Sequence, residues 1–150
     1  MVQVPFVAHE DCHEMGGKHT CDKRLDVSQL KEIFPQVDYS LLEHEHDPLW
    51  AELSSERETW EALAERALRF MDWLWNRPEK CIAVACHGSF LVSLFTTVLR
   101  VPGGIELAFK TGEMRTVSVG RGKGDLELSL DADLFRVAAD FNSPTAAVGE

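Results

Sequence analysis

The segment that most constrains the fold is a short apolar run between two helical patterns. Residues 81–86, CIAVAC, have the composition of a strand that is buried on both faces, as in a parallel sheet. Upstream, residues 55–76 carry apolar side chains at helical spacing, and downstream, SFLVSLFTTVL at 89–99 follows directly after His87-Gly88. The order helix, buried strand, tight turn, helix predicts an α/β fold.

The helix predicted over residues 55–76 has one continuous apolar stripe. Its members recur three or four residues apart, and they are Trp60, Leu63, Ala64, Ala67, Phe70, Met71 and Leu74. Charged residues, Arg66 among them, mostly take the other faces. Shorter elements are a strand at 4–9, a polar loop at 11–24, a helix from Val27 to Ile33, and strands at 114–119 and 126–130.

Length and composition indicate one soluble, cytoplasmic domain. The chain has 150 residues, of which 45% are apolar, so we expect a domain at 1–141 and a loose tail at 142–150. A formal charge of −10 without a basic patch disfavours nucleic acid and anionic membranes as partners. The apolar runs are far shorter than the roughly 18 residues of a membrane span, and the N-terminus does not resemble a secretory signal. Four cysteines are too few for a disulfide scaffold, which favours a reducing compartment, and Cys81 and Cys86 are predicted to be buried thiols.

The strongest candidate site is the turn at 87–89. His87 follows the carboxyl end of the predicted strand, the edge at which open α/β sheets bind their ligands. Gly88 lets a ligand approach the backbone, and the amide groups that open the next helix, from Ser89, attract anions. We therefore predict a phosphate-binding turn. A polar turn without a ligand is the alternative.

Two other groups of residues suggest metal chemistry. Residues 9–19 match HExxHxxGxxH, the pattern of metzincin proteases, in which His9, His13 and His19 would bind zinc and Glu10 would act as base. Pro5 and the strand pattern around it argue against the long helix that this motif needs, so a zinc protease is a remote alternative. The acidic, histidine-containing segment 44–47 is predicted to be a solvated loop. We expect no resident metal and no cofactor.

Several segments together resemble phosphoglycerate-mutase-like proteins of the histidine phosphatase superfamily. They are HEDCHEMGGKHTCDKR at 9–24, FPQVDYSLLE at 34–43, DPLW at 47–50, RETWEALAERALRFMDWLWNRPE at 57–79, IAVACHGSFL at 82–91 and TGEMRTVSV at 111–119. The resemblance covers roughly residues 4–120 and implies a mostly parallel sheet with helices on both faces.

The resemblance also implies a site and a reaction. The family transfers a phosphoryl group to a histidine in an Arg-His-Gly motif, a second histidine contacts the phosphate, and a carboxylate acts as acid and base. By position, His87 matches the second histidine and Glu14 the carboxylate, with His13 where many relatives have arginine. Gly88, Ser89 and, from the basic pair after Asp22, Arg24 are the further predicted substrate contacts.

One departure from the family is decisive for activity. The 150 residues contain no Arg-His-Gly, so the nucleophile and the main phosphate clamp are missing from this sequence. We therefore expect an N-terminally truncated, inactive domain that still binds phosphate or a phosphorylated small molecule. Its incomplete sheet predicts an exposed edge that a partner or self-association would cover. A noncatalytic phosphate-binding or protein-interaction module is the alternative function.

Overall fold

The computed structural model describes residues 4–17, 19–53, 56–99, 108–121 and 126–129. Within these ranges the strands are β1 (Phe6–Val7), β2 (Val37–Asp38), β3 (Ser118–Arg121) and β4 (Leu126–Ser129). The helices are α1 (Val27–Ile33), α2 (Pro48–Leu53), α3 (Trp60–Trp75) and α4 (Gly88–Ser93), and α4 continues as a π turn, Leu94–Val98. Single 3-10 turns lie at Glu10–Cys12 and Thr20–Asp22. The predicted tail at 142–150 lies outside the described residues.

Local capping sets the ends of α3. The hydroxyl of Thr59 accepts a hydrogen bond from the amide of Ala62 at 3.1 Å, which satisfies one of the free donors at the helix start. Residues 56–59 are therefore outside the helix, which begins later than the apolar pattern predicts. At the other end the side chain of Asn76 donates to the carbonyl of Asp72 at 2.8 Å, and Pro78 follows. No helix in the described part of the chain is both long and apolar enough to cross a membrane.

The core forms between α3 and the helical stretch 88–98. The buried side chains are Met15, Leu63, Ala67, Phe70, Met71, Phe90, Leu94, Phe95 and Leu99. Phe70 and Phe90 meet edge to face, with ring centroids 5.7 Å apart. This confirms the predicted stripe except at its start, because Trp60 is largely exposed. Each large side chain that is fully buried here contributes roughly 1.5–3 kcal/mol before entropic costs.

The described strands form two separate pairs. β1 and β2 are parallel, with Phe6 opposite Val37 and Val7 opposite Asp38. β3 and β4 are antiparallel, with Ser118 opposite Ser129. Helices together with a parallel pair agree with the predicted α/β class, while the strands are shorter than the sequence pattern indicates.

The prediction of a buried strand at 81–86 is wrong for this structure. The segment belongs to no strand, and residues 81–85 are exposed, Ile82 at 40% and Val84 at 41%. Cys81 is likewise exposed rather than buried, and Cys86 is half-buried. An apolar segment becomes a buried strand only if neighbouring strands pair with it and helices cover it. The described residues provide no such neighbour here.

Candidate functional site

The predicted phosphate-binding turn lies at the amino end of α4. His87 is the residue before the helix, with extended backbone (φ −127°, ψ 161°), and its side chain makes no capping bond and is exposed. An added Cβ on Gly88 would meet nothing within 4 Å, so the space above this glycine is open. Phe90, fully buried, anchors the turn to the core. The first amides of a helix lack intrahelical acceptors, which leaves this end of α4 able to bind an anion.

The carboxylate of Glu14 interacts electrostatically with Cys86, the residue that precedes His87. Burial raises the pKa of the Cys86 thiol to about 11, and the nearby Glu14 carboxylate adds to the rise. One oxygen of Glu14, Oε1, accepts a hydrogen bond from the amide of Met15 at 2.8 Å, and the side chain is half-buried.

The segment that carries Glu14 is held by a buried ion pair that the sequence analysis missed. Arg66 and Glu58 are 5% and 3% exposed. The guanidinium of Arg66 donates to both oxygens of Glu58 and to the carbonyls of Asp11, His13 and Glu14, which uses all five of its N–H groups. The helical pattern puts Arg66 on a charged face and does not indicate that it is buried. Its role in holding residues 11–14 is seen only from the contacts in the folded chain.

Arg24, a predicted substrate contact, makes its hydrogen bonds within the chain. Its Nε donates to Glu10 Oε1 at 3.0 Å. Its terminal nitrogens donate to the carbonyls of Leu25, His44, Glu45 and His46. All five N–H groups are therefore engaged within the chain. A phosphate could bind to Arg24 in this arrangement only by displacing one of these bonds.

The residues of the HExxHxxGxxH pattern do not lie on one helix. His9 precedes a single 3-10 turn and packs on the rings of Phe70 and Trp73, with centroids 5.1 and 4.6 Å away. Burial lowers the pKa of His9. His19 is exposed before the next 3-10 turn. The metzincin geometry needs His9 and His13 one helical turn apart, and the extended backbone at His13 (φ −77°, ψ 172°) does not provide it.

The acidic segment 44–47 is only partly the solvated loop that the sequence predicts. His44, Glu45 and His46 are exposed, but Asp47 is 3% exposed. Its carboxylate accepts hydrogen bonds from the amides of Arg24 at 2.8 Å and Trp50 at 2.9 Å, so it also caps α2. Asp47 lies beside Glu10 and His13, and the carboxylate and imidazole atoms that these three residues offer are within 4.8 Å of one another. Burial, followed by the charge of Arg66, lowers the pKa of His13.

Comparison with known proteins identifies relatives of one kind. The chain is 42% identical over 93 residues to a phosphoglycerate mutase-like protein of Arabidopsis thaliana. It is 46% identical over 87 residues to phosphoglycerate mutase-like protein 1 and 41% identical over 75 residues to phosphoglycerate mutase-like protein 2 of the same plant. These matches cover 62%, 58% and 50% of the chain, which spans 34%, 30% and 21% of the relatives.

The other two comparisons gave nothing further. No family model matches the chain, and no solved structure does. The curated relatives nevertheless agree with the resemblance seen in the motifs of the sequence. The chain is thus similar to phosphoglycerate mutase-like proteins over about half of its own length and about a third or less of theirs.

Proposed function

We propose that the chain is the phosphate-binding part of a histidine phosphatase-like enzyme and binds a phosphomonoester at the turn 87–89. The observation that carries this proposal is the exposed ring of His87 at the amino end of α4, with open space above Gly88. A protonated imidazole and the first amides of a helix both attract a phosphate dianion. Ser89, half-buried in the same turn, adds a hydroxyl donor.

We assign to Glu14 the role of general acid and base at the same phosphate. The influence of its carboxylate on Cys86, next to His87, supports this role. The hydrogen bond from Arg66 to the backbone carbonyl of Glu14 also supports this role, because a proton donor must be held in place to act. An ionised Glu14 repels a phosphate dianion, so we expect Glu14→Gln to bind phosphate more tightly.

Catalysis needs a nucleophile that this sequence does not contain. In the proposal, polypeptide outside these 150 residues supplies the Arg-His-Gly histidine together with strands that pair with residues 81–86 and complete a mostly parallel sheet. Two observations support this pairing with residues 81–86. Ile82 and Val84 are exposed, and the relatives have much additional polypeptide beside the matched region. A second copy of the chain is disfavoured, because its charge of −10 repels another copy. We place the complex in the cytoplasm, where the four thiols stay reduced.

Phosphate titration followed by NMR tests the binding site. We expect chemical-shift changes around residues 87–89 with a dissociation constant in the millimolar range, about −4 kcal/mol. His87→Ala should weaken binding, whereas His44→Ala, which removes an exposed histidine elsewhere, should not. Shifts that cluster away from this turn, or a His87→Ala protein that binds as well as the wild type, would contradict the proposal.

Hydrolysis of p-nitrophenyl phosphate tests the catalytic part. The chain alone should show no turnover above His87→Ala. When the unmatched part of phosphoglycerate mutase-like protein 1 is co-expressed as a separate polypeptide, the mixture should gain activity that depends on His87. Phosphate binding without any activity in the mixture would favour the second candidate, a noncatalytic phosphate-binding module. Turnover by the chain alone that is lost in His87→Ala would show that the nucleophile has been assigned wrongly.

A further inference from the structure

Glu10, His13 and Asp47 form a cluster of ligand atoms away from the turn 87–89. Glu10 lies in the 3-10 turn Glu10–Cys12, and His13 is the residue that follows this turn. Asp47 lies at the amino end of α2. Each offers one atom, an imidazole nitrogen or a carboxylate oxygen, and these atoms lie within 4.8 Å of one another. Asp47 is buried and the other two are half-buried. The spacing is close enough for small side-chain movements to bring all three onto one ion.

Two atoms of this cluster are buried without a hydrogen-bond partner among the described residues. They are Glu10 Oε2 and His13 Nε2. The other ring nitrogen of His13, Nδ1, lies 2.6 Å from the carbonyl oxygen of Glu14, which only accepts, so Nδ1 carries the ring proton. In the neutral ring Nε2 is then an acceptor, and a carboxylate oxygen is one as well. Two buried acceptors without partners in one cluster favour a donor or a cation there.

Outer hydrogen bonds orient every member of the cluster. Arg24 Nε donates to the other oxygen of Glu10 at 3.0 Å, and the amides of Arg24 and Trp50 donate to Asp47. The Nδ1–H of His13 donates to a backbone carbonyl. Metal-ligating histidines and carboxylates in proteins are held by this kind of second layer, which fixes the tautomer and the direction of the lone pair.

We propose that Glu10, His13 and Asp47 bind a divalent first-row transition-metal ion, for which Zn²⁺ is the probe. One imidazole and two carboxylates suit Zn²⁺ or Co²⁺ better than Mg²⁺ or Ca²⁺, which prefer oxygen ligands alone. Water completes the coordination. The ion joins the segment that ends in Glu14 to the start of α2, so its role is structural. The sequence predicts no resident metal because Asp47 meets the other two ligands only in the fold.

Metal titration of the full chain tests this site. The protein is purified without a histidine tag, treated with EDTA and dialysed, and Zn²⁺ binding is followed by calorimetry and Co²⁺ binding by visible absorption. We expect one ion per chain and a Co²⁺ spectrum with a nitrogen ligand. Glu10→Gln and His13→Gln, which keep the side chains' approximate size, should weaken binding at least about tenfold. His19→Ala, which removes an exposed histidine of the HExxHxxGxxH pattern, should leave it unchanged.

His13→Arg makes the test independent of a folding defect. Its guanidinium places a permanent positive charge beside Glu10 and Asp47, so this variant should fold, as judged by circular dichroism, and should not bind Zn²⁺. The proposal is overturned if the wild type binds no Zn²⁺. It is also overturned if His13→Gln and His13→Arg bind as well as the wild type, or if His19→Ala abolishes binding.

Discussion

The guanidinium of Arg66 donates to both carboxylate oxygens of Glu58, at 3.0 and 2.8 Å, inside the protein. Its remaining N–H groups bind the backbone of the segment that ends in Glu14. Glu58 in turn accepts a hydrogen bond from the amide of Gly16 at 3.2 Å. One ion pair therefore joins α3 to both sides of the predicted catalytic carboxylate, and the position of Glu14 depends on it.

Removal of Arg66 should destabilise the protein strongly. Arg66→Ala leaves the Glu58 carboxylate without its ion-pair partner in the interior, and three backbone carbonyls lose a hydrogen-bond donor. Breaking a buried pair in this way costs about 3–5 kcal/mol of the free energy of unfolding. The control is Arg69→Ala, three residues along the same helix. Arg69 pairs with Asp11 but its side chain is 60% exposed, so the loss should be about 0–1 kcal/mol. Urea unfolding of the three proteins measures both values, and equal midpoints for the two variants would contradict the role assigned to Arg66.

Sequence patterns predict the parts of this fold that depend on local chemistry. The stripe on α3 and the helix Val27–Ile33 can be predicted because apolar spacing and a following proline act within a few residues. The segment 81–86 was predicted wrongly because strand formation depends on neighbouring strands that residues 81–86 cannot specify. The Arg66–Glu58 pair and the burial of Asp47 were missed for the same reason, since both arise from contacts between distant segments.

Gly17 should not tolerate a side chain. Its φ of +96° is a left-handed conformation that suits glycine, and an added Cβ would overlap the carbonyl oxygen of Glu56. Gly112 has a similar φ of +76° but open space around it, so Gly112→Ala measures the conformational cost alone, about 1–2 kcal/mol. Gly17→Ala should cost more than this control, because the backbone near Glu56 must also move. Thermal unfolding of the two variants compares the costs, and an equal loss in both would show that the contact with Glu56 is unimportant.

Cys86 should react slowly with alkylating reagents. Burial raises its pKa to about 11, so at pH 8 only a small fraction is the reactive thiolate. Its alkylation rate should rise steadily as the pH is increased toward that value, since each step in pH deprotonates more of the thiol. Cys81, exposed five positions earlier, is the internal control and should react first. Iodoacetamide labelling followed by peptide mass spectrometry reports both sites in one sample, and equal rates at pH 8 would contradict the burial of Cys86.

Polar substitutions in 81–86 should be tolerated by the chain alone. Ile82 and Val84 are 40% and 41% exposed, so Ile82→Thr and Val84→Thr should each change the free energy of unfolding by less than about 0.5 kcal/mol. In a strand buried on both faces, each new hydroxyl would lack a partner and cost about 1–3 kcal/mol. Leu63→Ala, at a fully buried position of α3, should cost about 2–5 kcal/mol and shows that the assay detects core damage.

Ile82→Thr and Val84→Thr also distinguish the stability of the isolated chain from its association in the proposed complex. If a second polypeptide covers this segment, Ile82→Thr and Val84→Thr should weaken its association although the chain itself remains stable, because the apolar contacts form only in the complex. Co-purification with the unmatched part of phosphoglycerate mutase-like protein 1 measures that loss. Substitutions that destabilise the chain alone as much as Leu63→Ala does would mean that residues 81–86 are already buried in solution. The exposed segment on which the complex depends would then not exist.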